Sequence, residues 1–160
     1  MGQNNDIEIS FHIVLYQPEI PENTGNIGRL CLGSSAHLHL IKPMKFILND
    51  KYLKRAGVDY WEKVKLSIHD DWHTFLSSVG SESRIYLCST KGKNLYTDRS
   101  YKKGDYFVFG PESRGLPSEL LNESPHNVIK IPMSDQIRSI NLANSVAIII
   151  YEGMRQIGFS

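Results

Sequence analysis

Cysteine is scarce in this chain of 160 residues: Cys31 and Cys88 are the two, each among apolar neighbours and neither at metal-ligand spacing. That excludes a disulfide scaffold, and both read as buried core thiols. An excess of charge is missing too. With 18 basic and 17 acidic side chains, the formal net charge is +1, so the chain lacks the global basic excess usual in nucleic-acid binders. No apolar run is long enough to span a bilayer, and no signal-like stretch follows Met1. The start, Met1-Gly2-Gln3-Asn4-Asn5-Asp6, lacks the hydroxyl residue of a myristoylation signal. These absences point to a soluble cytoplasmic protein with no membrane partner. His12, His37, His39, His69, His73 and His126 are scattered without metal-ligand spacing, so no metal is expected. There is no P-loop and no nucleophile–base pair. After the first strand, Asn23 to Arg29 offers only Gly25 and Gly28, not the G-x-G-x-x-G of a dinucleotide-binding oxidoreductase.

What is present is ordinary globular material: 41% hydrophobic and 22% charged residues, enough for one domain with a sizeable core. Residues 1–10 are polar and read as a frayed extension, leaving 11–160 as a single domain. Apolar runs predict strands over 11–16, 38–41, 85–88, 106–109 and 128–131. Helices are predicted over 26–35, 51–56, 72–79 and 142–156, the second capped by Asn49-Asp50 and the third by Asp70-Asp71. This alternation argues for an α/β fold, a parallel sheet covered by helices on both faces. The last helix is apolar nearly all round, from Leu142 to Met154. Such a helix is buried on more than one side, and a second subunit could supply part of that burial.

One charge pattern stands out locally. Between Lys42 and Lys65, seven basic residues (Lys42, Lys45, Lys51, Lys54, Arg55, Lys63, Lys65) face Asp50, Asp59 and Glu62, with Phe46, Tyr52, Tyr60 and Trp61 interleaved. This is either a solvated face or a surface that tracks a phosphate backbone and stacks bases.

Three segments carry the functional signal. In Tyr106–Pro117 a buried strand empties into a loop bracketed by Gly110 and Gly115, with Glu112 and Arg114 between. Loops at the carboxyl ends of parallel strands are where ligands bind, and the glycines let backbone approach a ligand closely. The second segment is Asn23-Thr24-Gly25-Asn26-Ile27-Gly28-Arg29. In the third, Ile131-Pro132-Met133 leads to Arg138-Ser139-Ile140-Asn141-Leu142, where Ser139 or Asn141 can cap the final helix.

Taken together and in this order, the three resemble the signature motifs of the SPOUT (SpoU-type) RNA 2′-O-ribose methyltransferases. Leu15 to Ile27, Arg55 to Tyr60 and Thr90-Lys91-Gly92 resemble the small single-domain branch that methylates the wobble ribose of tRNA. The resemblance spans Phe11 to Gly158 and implies a deep trefoil knot at the carboxyl end, with a homodimer formed through the knotted half. It implies S-adenosyl-L-methionine as cofactor, and as substrate a cytidine or modified uridine of tRNA, leucine tRNAs by family likeness. Methylation of another tRNA or rRNA ribose, or a non-catalytic RNA-binding knot, are the alternatives.

Carried over residue by residue, the resemblance places Cys88, Ser89, Thr90, Gly110, Gly115, Leu116, Ile131, Pro132, Met133, Ser139 and Leu142 around the cofactor. It gives Arg29, Asn23, Glu112, Ser139 and Asn141 to catalysis, and Arg29, Lys51, Lys54, Arg55 and Arg138 to RNA. Holding the sulfonium methyl in line with a ribose 2′-hydroxyl is worth up to about 7–11 kcal/mol. A guanidinium stays protonated and is an awkward base. Arg29 would therefore hold a phosphate and steady developing charge, the proton going to that phosphate or to a transiently neutral Arg29.

Overall fold

The computed structural model describes residues 8–48 and 60–159. Seven strands form one sheet: β1 (His12–Tyr16), β2 (His37–Ile41), β3 (Leu66–His69), β4 (Ile85–Cys88), β5 (Asn94–Leu95), β6 (Tyr106–Phe109) and β7 (Val128–Lys130). Their order across the sheet is β3-β2-β1-β6-β4-β7-β5, and every pairing is parallel. The α-helices among the described residues are α1 (Pro21–Gly33), α2 (Trp72–Ser78), α3 (Ser118–Glu123) and α4 (Leu142–Ile157).

Alternation along the strands sorts the core into two layers. Ile13 and Leu15 of β1, Leu38 and Leu40 of β2, and Phe107 and Phe109 of β6 pack with Ile27 and Cys31 of α1 and with Val146, Ile149 and Ile150 of α4. Val14, Ile41, Tyr106 and Val108 turn the other way, against Phe75 of α2 and Leu121 of α3. Helices therefore cover both faces. Each fully buried side chain of this kind contributes about 1.5–3 kcal/mol. The first layer is tight: a Cβ on Gly153 of α4 would come within 2.9 Å of the Phe11 ring. Burial also pushes the Cys31 thiol up to about 12, as befits an inert core thiol.

Several expectations need correction. The first helix starts at Pro21, not Asn26: a proline read as a strand terminator occupies the first helical position, where its missing N–H costs nothing. It ends at Gly33, because Ser35 takes a left-handed φ of 57°. The strand at 128 stops at Lys130, one residue early. Short β3, β5 and α3 were not anticipated. Ser10, assigned to a frayed end, is buried, its N–H bonded to Ser35 O at 2.9 Å and its hydroxyl to Ser34 O at 2.7 Å. The helix expected over 51–56 lies outside the described residues.

The histidines are the largest surprise. In-register pairing sets His12 beside His37 and Val14 beside His39, and Ile41 beside His69, so four of the six gather on one face. His12 Nδ1 lies 2.8 Å from His39 Nε2, and His39 Nδ1 lies 2.9 Å from His69 Nε2. Tyr106 stacks on His12 at 4.0 Å, and Phe75 packs edge-on against His39 and His69.

Desolvation lowers His12 and His37 to about 4 and His39 to about 2, with the neighbouring imidazoles and Lys65 adding to it; burial lowers His69 as well. Because the unfolded histidines take up protons near 6.5 and the folded ones do not, stability is complete above that pH and declines as pH falls toward about 4. His39 alone is expected to cost about 2 kcal/mol at pH 5, or about 4–8 °C in melting midpoint for a chain of this size. Thermal melts from pH 7.5 to 5 check this; a flat midpoint would mean that the cluster is charged or open in the folded state.

Candidate active site

The carboxyl ends of β4, β6 and β7 and the turn after β1 open on one side of the sheet, onto a cavity of about 630 Å³. Its wall has three parts. Cys88 ends β4 and Ser89 and Thr90 follow it; Phe109 ends β6 and Gly110 to Leu116 follow it; Ile131, Met133 and Arg138 to Leu142 run from β7 into α4. The volume lies within the range of small-molecule pockets, and the lining mixes apolar side chains with a few polar groups, as such pockets do.

The β6 loop folds back on its own strand. A Cβ on Gly110 would sit 2.3 Å from Gly115 C and from Leu116 N, so only glycine permits this approach. Gly115 itself takes φ +68, a conformation costly for other residues.

Two glutamates lock this loop to the turn after β1. Glu112 accepts hydrogen bonds from Glu19 N (2.8 Å), Ile20 N (3.2 Å) and Asn23 Nδ2 (3.4 Å). In return Glu19 Oε1 accepts from Ser113 N (2.8 Å) and Ser113 Oγ (2.6 Å). Lys45 Nζ lies 2.6 Å from Glu19 Oε2, and Arg114 donates to Gln17 Oε1 at 2.9 Å. The third segment joins through Asn141, whose Nδ2 donates to Asn23 Oδ1 at 3.1 Å. The Oδ1 of Asn141 accepts from Asn144 N at 3.2 Å and caps α4, which settles the cap on Asn141 rather than Ser139. Asn23 thus bridges Glu112 and Asn141, one side chain from each segment.

Of the residues singled out in the sequence, Asn23, Glu112, Ser139 and Asn141 line the cavity, with Cys88, Ser89, Thr90, Gly110, Gly115, Leu116, Ile131, Met133, Leu142 and Arg138. Pro132 is exposed and outside the wall. Arg29 is also outside it, on the exposed side of α1. There its guanidinium lies 5.6 Å from the centre of the Tyr60 ring, and the Tyr60 hydroxyl donates to Gly25 O at 3.2 Å. Lys51, Lys54 and Arg55 lie outside the described residues. Lys45, read with the basic stretch, belongs instead to the glutamate lock. Sequence reading gave Glu19 and Gln17 no role; the crowding of polar residues around Pro18 was the available signal.

The profile of the SpoU rRNA methylase family matches residues 10–151. Over 154 residues the chain is 49% identical to the tRNA (cytidine(34)-2′-O)-methyltransferase of Photorhabdus asymbiotica, covering 93% of this chain and 95% of that protein. Its fold matches, with a TM-score of 0.87 and 44% identity, a structure solved for insight into the 2-OH methylation of C/U34 on tRNA, covering 94% of this chain and 97% of that one. The SpoU methyltransferase AviRb from Streptomyces viridochromogenes, in complex with the cofactor AdoMet, shares the fold at a TM-score of 0.80 and 19% identity, over 94% of this chain and 59% of that one.

The bonds from Lys45 and then Ser113 hold the Glu19 carboxyl down to about 2, against an ordinary value of 4.5. Its contribution to the loop is therefore present above pH 4.5 and lost as pH falls toward about 2. At neutral pH, Glu19→Gln should speed hydrogen exchange at the Ser113 amide by at least about fivefold, since bonds to a charged acceptor exceed neutral ones. Unchanged protection in the variant would show that the lock does not hold the loop.

Proposed function

We infer that this chain, which belongs to the SpoU rRNA methylase family, methylates the ribose 2′-oxygen at the wobble nucleotide of tRNA, on cytidine or uridine. The observation that carries this is the meeting of Asn23, Glu112 and Asn141 at one cavity mouth, in a chain about half identical to a tRNA (cytidine(34)-2′-O)-methyltransferase over nearly its whole length.

The proposed cofactor is S-adenosyl-L-methionine. The cavity fits it in chemistry: backbone of the Gly110–Leu116 loop offers rigid donors and acceptors for a purine edge, while Phe109, Leu116, Ile131 and Leu142 supply apolar surface. When bound, this cofactor supplies a methyl group on a sulfonium. Gly110, Ile131, Met133 and Leu142 would hold its adenine; Cys88, Ser89, Thr90, Gly115 and Ser139 complete the wall.

The RNA side falls to exposed groups. Arg138 stands at the cavity rim, and Arg29 holds a substrate phosphate, orients the ribose and steadies charge as the 2′-hydroxyl loses its proton to that phosphate. Asn23, fixed from both sides, positions the ribose. Because Arg29 stands off the cavity wall, the complete site is composite, built across a homodimer through the carboxyl-terminal half. Exposed Ile137 and Tyr151 fit such a contact, and a trefoil knot formed by the loops after β6 and β7 is the proposed topology of that half. No helix among the described residues is long and apolar enough to cross a membrane, and the proposed place of action is the cytoplasm, with tRNA.

Incubation with labelled S-adenosylmethionine and total tRNA, followed by nucleoside mapping, should yield a 2′-O-methylated wobble nucleoside, leucine tRNAs being the first to resolve. Cofactor binding without that product would turn the reading to an RNA-binding module. Arg29→Ala should lower kcat by about 10²–10³ and leave cofactor affinity unchanged; full activity would remove Arg29 from the chemistry.

Gly110→Val should abolish S-adenosylmethionine binding by calorimetry, because its side chain would overlap the Gly115–Leu116 backbone. Wild-type affinity in a folded Gly110→Val protein would overturn this placement.

A further inference from the structure

We propose that His12, His37 and His39 form a binding site for one Zn²⁺ ion, separate from the cavity. Each histidine offers one ring nitrogen, and the three atoms lie within 4.8 Å of one another. The backbone brings them together: β1 and β2 pair with His12 beside His37, and His39, two residues on, shares the face of His37. The ligand set is nitrogen alone, which suits zinc and its first-row neighbours and excludes calcium and magnesium, which need oxygen.

The local geometry needs small changes. Zinc–nitrogen bonds of about 2.0–2.1 Å put ligand atoms about 3.3 Å apart in a tetrahedron. The 2.8 Å between His12 Nδ1 and His39 Nε2 must therefore open by about half an ångström, close to the tetrahedral spacing. His37, whose ring stacks on His39 at 4.1 Å, must turn out of that stack. No net proton need be released: His12 takes the tautomer with its proton on Nε2, and its Nδ1 faces the ion.

One outer partner is already in place, and a second stands beside the ring that must turn. His39 Nδ1 faces His69 Nε2 at 2.9 Å, and Ser67 Oγ lies 2.8 Å from His37 Nε2. Such partners fix tautomer and ring orientation in metal sites. His12 and His37 are half-buried and His39 is buried, which leaves the fourth position to water. Lys65, exposed at the approach to β3, is the nearby cation that opposes the ion. His12 opens β1 while the cavity lies beyond the strand's other end, about 13 Å away at the rise of a strand. The ion would tie β1 to β2 and, through His69, brace β3; it takes no part in methyl transfer.

Untagged full-length protein, stripped with a chelator and dialysed, is titrated with ZnCl₂ and, as a spectroscopic probe, with CoCl₂. The expected result is saturable uptake of one ion per chain, a raised melting midpoint and a cobalt ligand-field band. The double variant His12→Gln/His37→Gln should weaken zinc binding at least about tenfold with tRNA methylation unchanged, Lys65→Gln should strengthen it, and His126→Gln should leave it alone. Circular dichroism checks that the double variant folds; if it does not, His37→Gln alone gives the same reading. Absence of one-per-chain binding by the wild type, or wild-type affinity in the folded variant, would overturn the site.

Discussion

The carboxylate of Glu112 is the contact on which the site depends. Helix α1 has no side-chain cap of its own: Ile20 sits at the cap position and Pro21 follows it. Glu22 is the acid of its first turn, but the N–H groups at its start still need acceptors. Glu112 supplies that acceptor from a loop more than ninety residues away, accepting from Glu19 N and Ile20 N with one carboxylate. The same group takes the Asn23 amide, and Asn23 takes Asn141. One anion therefore sets the start of α1, the path of the β6 loop and the register of the turn into α4.

That arrangement follows from a parallel sheet. Parallel strands deliver all their carboxyl ends to one side, so loops distant in sequence meet there without further design. The same pairing lines up imidazoles on one face of β1, β2 and β3, from His12 and His37 at the amino ends, through His39 in mid-strand, to His69 at the end of β3. The loop end tolerates exposed, polar, glycine-dependent backbone; the histidine face is packed against Phe75 and Tyr106. One topology thus yields two chemically different concentrations of residues, one in the loops after β4, β6 and β7 and one on a face of β1, β2 and β3.

Much of this was legible in the sequence, for physical reasons. Strands buried on both faces read as apolar runs, so β1, β4 and β6 were placed to within a residue or two. Glycines bracketing a charged turn betrayed the loop after β6. Edge strand β3 was not legible, because Leu66 to His69 carries an Ile68 that is 46% exposed and resembles any amphipathic stretch. The start of α1 was hidden because Pro21 ends a strand and begins a helix equally well. The histidine cluster was missed because ligand spacing was sought along the chain. The alternation of His37 and His39 on one strand was a signal, but only the pairing of β1 with β2 brings His12 to them.

Arg29 raises the remaining question of how a residue off the cavity wall can serve the cavity. Its helix is held at two points. Glu112 fixes the start, and midway the Trp61 ring presses on Gly28, where a Cβ would lie 2.2 Å from the ring. Tyr60, beside that tryptophan, flanks the Arg29 guanidinium and bonds to Gly25 O. The end of the basic stretch is therefore anchored to the helix that the cavity loop caps. A displacement of α1 would disturb Asn23 at one end and Arg29 further along it together, so the two residues proposed to position the ribose and hold a phosphate rest on one rigid element of each protomer. Such rigidity is what aligned transfer requires, since a reacting pair misplaced by about 1 Å loses about 10²-fold in rate.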